Sequence, residues 1–155
     1  MRITKYKTAL NNDKVLTLVK ESAQNYDAIN AITSPADVAT IINAVFDLAN
    51  ASEEHLIMLA LDNKNKIVGA FEVSHGTLAM SPVHPREIYK KALLCNAASI
   101  IIAHNHPSGD LTPSSSDTDA TRRIAGAGEL LEIPLFDHLI ISNSGHTSLK
   151  ESGVF

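Results

Sequence analysis

Three consecutive isoleucines, Ile100-Ile101-Ile102, sit inside the run Ser99 to Ala103, which has no charged position and stops abruptly at His104. A half-buried strand alternates apolar and polar residues, whereas an uninterrupted apolar run of this length needs cover on both faces. The chain must therefore supply a layer of structure on each side of this strand. Helical patterns are available for both layers. Ser34-Pro35-Ala36-Asp37 has the form of an N-cap, a proline at the first helical position and an acidic capping-box partner, and Val38, Ile41, Ile42, Val45, Phe46 and Ala49 follow at helical spacing. Pro85 opens a second helix, in which Ile88, Ala92, Leu93 and Ala97 share a face. Thr112-Pro113 reads as the start of a third, continuing through Ala120, Ile124 and Ala127 to about Leu131.

Strands alternate with these helices. His55 to Leu61 and Ile67 to Val73 flank the turn Asp62-Asn63-Lys64-Asn65 and read as a hairpin, and Leu139-Ile140-Ile141 before Asn143-Ser144-Gly145 is a late strand. Ahead of Ser34, residues 1–33 form an extended arm of the same domain. It holds two strand candidates, Ile3 to Leu10 and Val15 to Lys20, which could pair with a sheet edge in this chain or in another copy. Helices and strands in this order predict α/β layers around a central sheet.

With 155 residues and 45% apolar composition, the chain can bury a core without disulfides. Its net charge is −4, and Lys90-Lys91 and Arg122-Arg123 are the only adjacent basic pairs, a poor footprint for sequence-independent nucleic-acid binding. Cys95 is the one cysteine, so neither a disulfide nor a cysteine-based zinc site can form within the chain, and a reducing cytoplasm is the expected location. The N-terminus lacks an apolar signal core, and the runs Leu56 to Leu61 and Ile100 to Ala103 are far below membrane-spanning length.

His104 and His106 stand at the end of the apolar strand, two positions apart, where side chains on a strand point the same way. They can share one ion. Asp117, on the first turn of the third helix, is placed to return toward the strand end after a loop shaped by Pro107, Gly109 and Pro113. Two imidazoles and a carboxylate leave a fourth tetrahedral position for water, the open arrangement of catalytic zinc, and ligand sites in open α/β sheets collect at the carboxyl ends of strands. His55, His75, His84, His138 and His146 fit structural or exposed roles better than ligation, while Asp110 and Asp119 lie near enough to act as supporting partners, although Asp119 is turned away from Asp117 on a helix.

The stretch His104-Asn105-His106-Pro107-Ser108-Gly109-Asp110-Leu111-Thr112-Pro113-Ser114-Ser115-Ser116-Asp117 resembles the JAMM (MPN) metalloprotease motif, and more narrowly the bacterial RadC family associated with DNA repair. The likeness extends back through Val83-His84-Pro85-Arg86-Glu87-Ile88 and Gly76-Thr77-Leu78, forward through Asp137-His138-Leu139-Ile140-Ile141, and covers roughly residues 34–155. It implies a three-layer α/β/α fold with a mixed central sheet, similar to cytidine deaminases, and a zinc hydrolase of peptidase or isopeptidase type holding one Zn²⁺ per chain on His104, His106 and Asp117. It also implies a glutamate acid-base just before an early strand, which maps to Glu54 with Glu53 as the adjacent fallback, and an oxyanion-stabilising role for Ser114; Glu72, in the second hairpin strand, is the other acidic candidate, to which nothing in the family pattern points. Longer RadC proteins carry a helix-hairpin-helix segment ahead of this domain that has no counterpart here, which weakens the case for direct DNA contact. A zinc deaminase is excluded, since its Pro-Cys-x-x-Cys signature needs two cysteines. The competing class is a metal-stabilised module that binds DNA or a protein without catalysis. A peptide or protein substrate is the expectation on the hydrolase side, and oligomeric state is open.

Overall fold

A computed structural model describes residues 1–26, 31–76 and 83–155; Thr77 and Leu78 of the resemblance lie outside them. The isoleucine run is strand β5 (Ser99–Asn105), buried at every position, an interior strand of a seven-stranded sheet with β1 (Arg2–Leu10), β2 (Leu16–Asn25), β3 (His55–Leu61), β4 (Ile67–His75), β6 (Leu135–Ser142) and β7 (Gly145–Ser148). The strand order is β2-β1-β4-β3-β5-β6-β7. The sheet is mixed: β5 runs antiparallel to β3 and parallel to β6, and β1 runs parallel to β4.

Each face of β5 has its own cover. Ile101 and Ala103, with Ile57, Leu59, Leu139 and Ile141, pack beneath helix α1 (Pro35–Phe46) through Val38, Ile41 and Ile42. Ile100 and Ile102, with Met58, Ala60 and Phe71, pack against α2 (Pro85–Leu94) and α3 (Ser115–Leu131) through Ile88, Ala92 and Ile124. The three-layer α/β/α architecture follows from that pleat. The N-terminal strands pair within this chain: β1 and β2 form a hairpin and β1 adds to β4, so the arm widens the sheet.

Three boundaries differ from the sequence expectation. Helix α3 starts at Ser115 and not at Pro113, because the capping box is built by Ser114 and Asp117: the Ser114 hydroxyl accepts from Asp117 N, and the Asp117 carboxylate accepts from Ser114 N. Leu93 leaves the apolar face of α2 and is 57% exposed, since the helix ends one residue later; Ala97 is buried from beyond the helix, while Tyr89 shares the buried face with Ile88 and Ala92. Strand β5 continues past Ala103 because His104 and Asn105 still pair with Ile140 and Ile141 of β6. No helix among the described residues is long and apolar enough to cross a membrane.

Candidate metal centre

Pleating decides where the strand-end side chains go. His104 follows Ile100 and Ile102 on the α2/α3 face, and His106 lies just past the strand on the same side. A tight turn brings the chain back, with Gly109 N donating to His106 O at 2.9 Å and Gly109 at φ +83°, a backbone conformation that side chains with a Cβ rarely adopt. Helix α3 then presents Asp117 from its first turn. His104 Nε2 lies 3.0 Å from His106 Nε2 and 3.4 Å from Asp117 Oδ1, and His106 Nε2 lies 3.5 Å from Asp117 Oδ2. Among the described residues this is the one group of three such side chains that converges closely enough to hold a metal.

The surrounding hydrogen bonds assign the tautomers of both imidazoles. His106 Nδ1 faces the backbone oxygen of Asp110 at 2.7 Å, which can only accept, so Nδ1 carries the proton and Nε2 presents a lone pair. For His104 the chain of bonds is longer. The Thr121 hydroxyl donates to Asp117 O at 2.6 Å, and its oxygen therefore accepts from His138 Nδ1, also at 2.6 Å. That leaves His138 Nε2 as the acceptor for His104 Nδ1 at 2.8 Å, and His104 Nε2 as a second lone pair. Two lone pairs 3.0 Å apart cannot bond to one another. With a carboxylate beside them, they fit a shared cation, and the donor set of two nitrogens and one oxygen is that of an open zinc site.

Burial supports the same protonation states. His104 is 1% exposed, and desolvation pushes its pKa down to about 4, with His106 adding to the fall and Asp117 opposing it. His138 is lowered well below the usual imidazole range by its own burial and then by the two neighbouring imidazoles. Asp117 is also held by Ser114, whose hydroxyl donates at 2.6 Å to Oδ2, the same oxygen that faces His106.

The sequence-predicted residues sort as follows. His104, His106, Asp117 and Ser114 come together. Asp110 contributes its backbone oxygen to His106, while its carboxylate accepts from Thr112 N. Glu72 accepts from His55 Nδ1 at 3.2 Å and His75 Nδ1 at 3.1 Å, and its β3 partner Ile57 belongs to the α1 face of the sheet. Asp119, expected to turn away, lines a cavity of about 780 Å³ together with His104, Asp117, His138, Arg122 and Arg123. Two residues gain a role that sequence reasoning did not give them. His138 and Thr121 fix the His104 tautomer, and the available signal was that His138, on the strand parallel to β5, pairs with Ile102 and so shares the His104 face.

A model of the RadC-like JAB domain matches residues 32–154. The chain belongs to the RadC family. UPF0758 proteins of Clostridium novyi (strain NT) and Clostridium beijerinckii are 46% and 47% identical to it over 123 residues, which is 79% of this chain and 53% of each relative. A UPF0758 protein of Staphylococcus haemolyticus is 40% identical over 133 residues, 86% of this chain and 58% of the relative. This RadC-family chain thus spans just over half the length of these curated relatives, and its His-His-Asp cluster lies inside the matched region.

Proposed function

We propose that the chain is a zinc-dependent hydrolase acting on amide bonds of peptide or isopeptide type, with His104, His106 and Asp117 as ligands and Glu54 as general acid and base. The observation that carries this is the convergence of two unprotonated imidazole nitrogens and a carboxylate at the edge of a cavity large enough to admit a substrate. A zinc ion in that position supplies a Lewis acid and lowers the pKa of a coordinated water toward neutrality.

The chain's own residues divide the remaining work. Glu54 directly precedes β3 and stands two positions before Leu56, which pairs with His104; this nearness to the strand end that carries the histidines supports Glu54 over Glu53 as the acid-base. The loop is held over the strand end by Asn105, whose Nδ2 donates to Ala51 O and Glu53 O at 3.3 and 2.8 Å and whose Oδ1 accepts from His55 N at 2.7 Å. Glu54 takes the proton from the attacking water and delivers it to the leaving amine. Ser114 holds Asp117 in the resting site and offers its hydroxyl to the oxyanion that develops at the carbonyl. The lone thiol, Cys95, is pushed up to about 11 by burial, which keeps it protonated and a poor nucleophile at neutral pH.

Elemental analysis of protein purified without added zinc or chelator tests the site. About one zinc per chain, lost in His106→Ala and Asp117→Ala, is the expected result. Glu54→Gln should keep the zinc and abolish turnover in a peptide and isopeptide screen. Absence of stoichiometric zinc after its re-addition to folded protein would overturn the proposal in favour of a binding module for DNA or a protein partner. Turnover surviving Glu54→Gln would remove the assigned acid-base.

A further inference from the structure

The cavity beside the metal centre has a second chemical feature, which hydrolysis alone does not require. Arg122 and Arg123 both line it, and they are one of the two adjacent basic pairs in a chain of net charge −4. Ser116, Ala120 and Arg123 lie at i, i+4 and i+7 on α3, a strip that runs alongside the buried strip Asp117, Thr121 and Ile124. The cavity therefore follows the helix away from the metal ligands and reaches the arginines at its far part. At ~1.5 Å per residue, Arg123 lies ~9 Å along the helix axis beyond Asp117. Arg122 is anchored, because its Nε donates to Val154 O at 3.2 Å, which leaves its terminal nitrogens for another acceptor. Asp119 is the opposing charge on the same wall, so two guanidinium groups face one carboxylate outside the ligand set.

We propose that Arg122 and Arg123 form a subsite for a substrate carboxylate, so that the preferred substrate is a peptide segment bearing an acidic group two or three residues from the bond that is cut. The spacing follows from the helix rise, since an extended peptide advances ~3.3 Å per residue. The subsite rests on the hydrolase assignment for its scissile bond, but its ligand chemistry is independent of turnover. A peptide is favoured over a nucleic-acid strand for two reasons. Leu56, Val83, Ala120 and Ile124 make much of the wall apolar, which suits side chains and not a phosphate backbone. The negative net charge also repels a polyanion, while a single carboxylate feels mainly the local guanidinium pair.

The test uses hexapeptides of Ala and Leu that carry one Glu, or one Gln, at each successive position. Zinc-loaded Glu54→Gln protein reports binding by NMR titration, and zinc-loaded wild type reports cleavage. At one or two positions Glu should bind about tenfold more tightly than Gln, the scale of a charge-assisted hydrogen bond. That preference should collapse in Arg122→Gln/Arg123→Gln and in the single Arg123→Gln variant, which leaves the Arg122 anchor to Val154 in place, and should survive in Arg123→Lys. Binding with this preference but without wild-type cleavage would sink the hydrolase assignment and leave the subsite standing. Equal handling of Glu and Gln peptides, with cleavage, would sink the subsite alone. Failure of every Glu peptide to bind, or salt-sensitive binding of a single-stranded oligonucleotide that depends on the same two arginines, would overturn the carboxylate proposal.

Discussion

Thr121→Val tests whether the tautomer relay controls metal affinity. Valine has nearly the shape of threonine, and Thr121 is fully buried, so the packing of α3 on the sheet changes little. The chemistry changes at His138. Without the hydroxyl, His138 Nδ1–H has no acceptor, and an unpaired buried donor costs ~1–3 kcal/mol. The relief open to the ring is to move its proton to Nε2, where it meets His104 Nδ1 across the 2.8 Å contact. His104 then accepts at Nδ1, carries its own proton on Nε2, and loses the lone pair aimed at the metal. Whichever state the variant adopts, zinc binding must bear the cost, and the expected loss is about 10- to 100-fold in affinity, the range for removing a group that orients a ligating histidine. Competition against a chromophoric chelator at neutral pH measures it, and the imidazole nitrogen shifts of the metal-free protein report which tautomer His104 adopts. Thr121→Ser retains the hydroxyl and should stay close to wild type. Zinc affinity of Thr121→Val within about threefold of wild type, well short of the usual outer-shell effect, would refute the relay; an equal loss in Thr121→Ser would attribute the effect to packing.

Other outcomes follow from the same geometry. In chelator-treated protein, His104 and His138 have folded pKa values below the unfolded value near 6.5, so unfolding takes up protons as the pH falls; stability should be fully present above pH ~6.5 and decline toward pH ~4, by on the order of 2–3 kcal/mol from His104 alone, in denaturant melts across that window. A flat profile there would contradict neutral burial of the pair. Asn105→Ala removes three hydrogen bonds from a buried site and should cost ~2–3 kcal/mol, with turnover falling far more than zinc affinity if its main work is to hold the Glu54 loop. Gly128→Ala would drive a methyl into the Tyr89 hydroxyl and to 2.7 Å from Ile133 O, and should lower stability by ~1–3 kcal/mol in the same melts without changing zinc content.

The layers of the fold were legible because one strand could not be amphipathic: Ile100 to Ala103 demanded two covers, and the proline-marked helix starts at Pro35 and Pro85 supplied them where expected. The start of α3 was misplaced because Thr112-Pro113 and Ser114 to Asp117 both carry helix-start chemistry, and only the reciprocal bonds between Ser114 and Asp117 choose between them. The convergence of the His-His-Asp cluster was legible from local spacing, since the strand period puts His104 and His106 on one side. The support for that set was not. His138 and Thr121 reach His104 from a parallel strand and from the second turn of a helix, across sequence separations of 34 and 17 residues. A histidine in an apolar strand reads the same whether it is merely buried or is the acceptor for a ligand.

Alternation at the end of β5 links these parts into one device. Even positions send His104 and His106 toward α3, while the odd position between them sends Asn105 to the other side, where its amide fastens the loop entering β3. The residue between the two histidines is thus not a spacer. Because β3 pairs antiparallel with β5, the start of β3 lies beside the end of β5, and the loop that Asn105 fastens is the one that carries Glu54. A shift of register by one residue between these strands would exchange the faces of Asn105 and the histidines and would separate the acid-base candidate from the ligands at the same time. The buried pairs Ile57 with Ala103 and Met58 with Ile102 oppose that shift, so the apolar core that defines the fold also fixes the geometry on which the proposed chemistry depends.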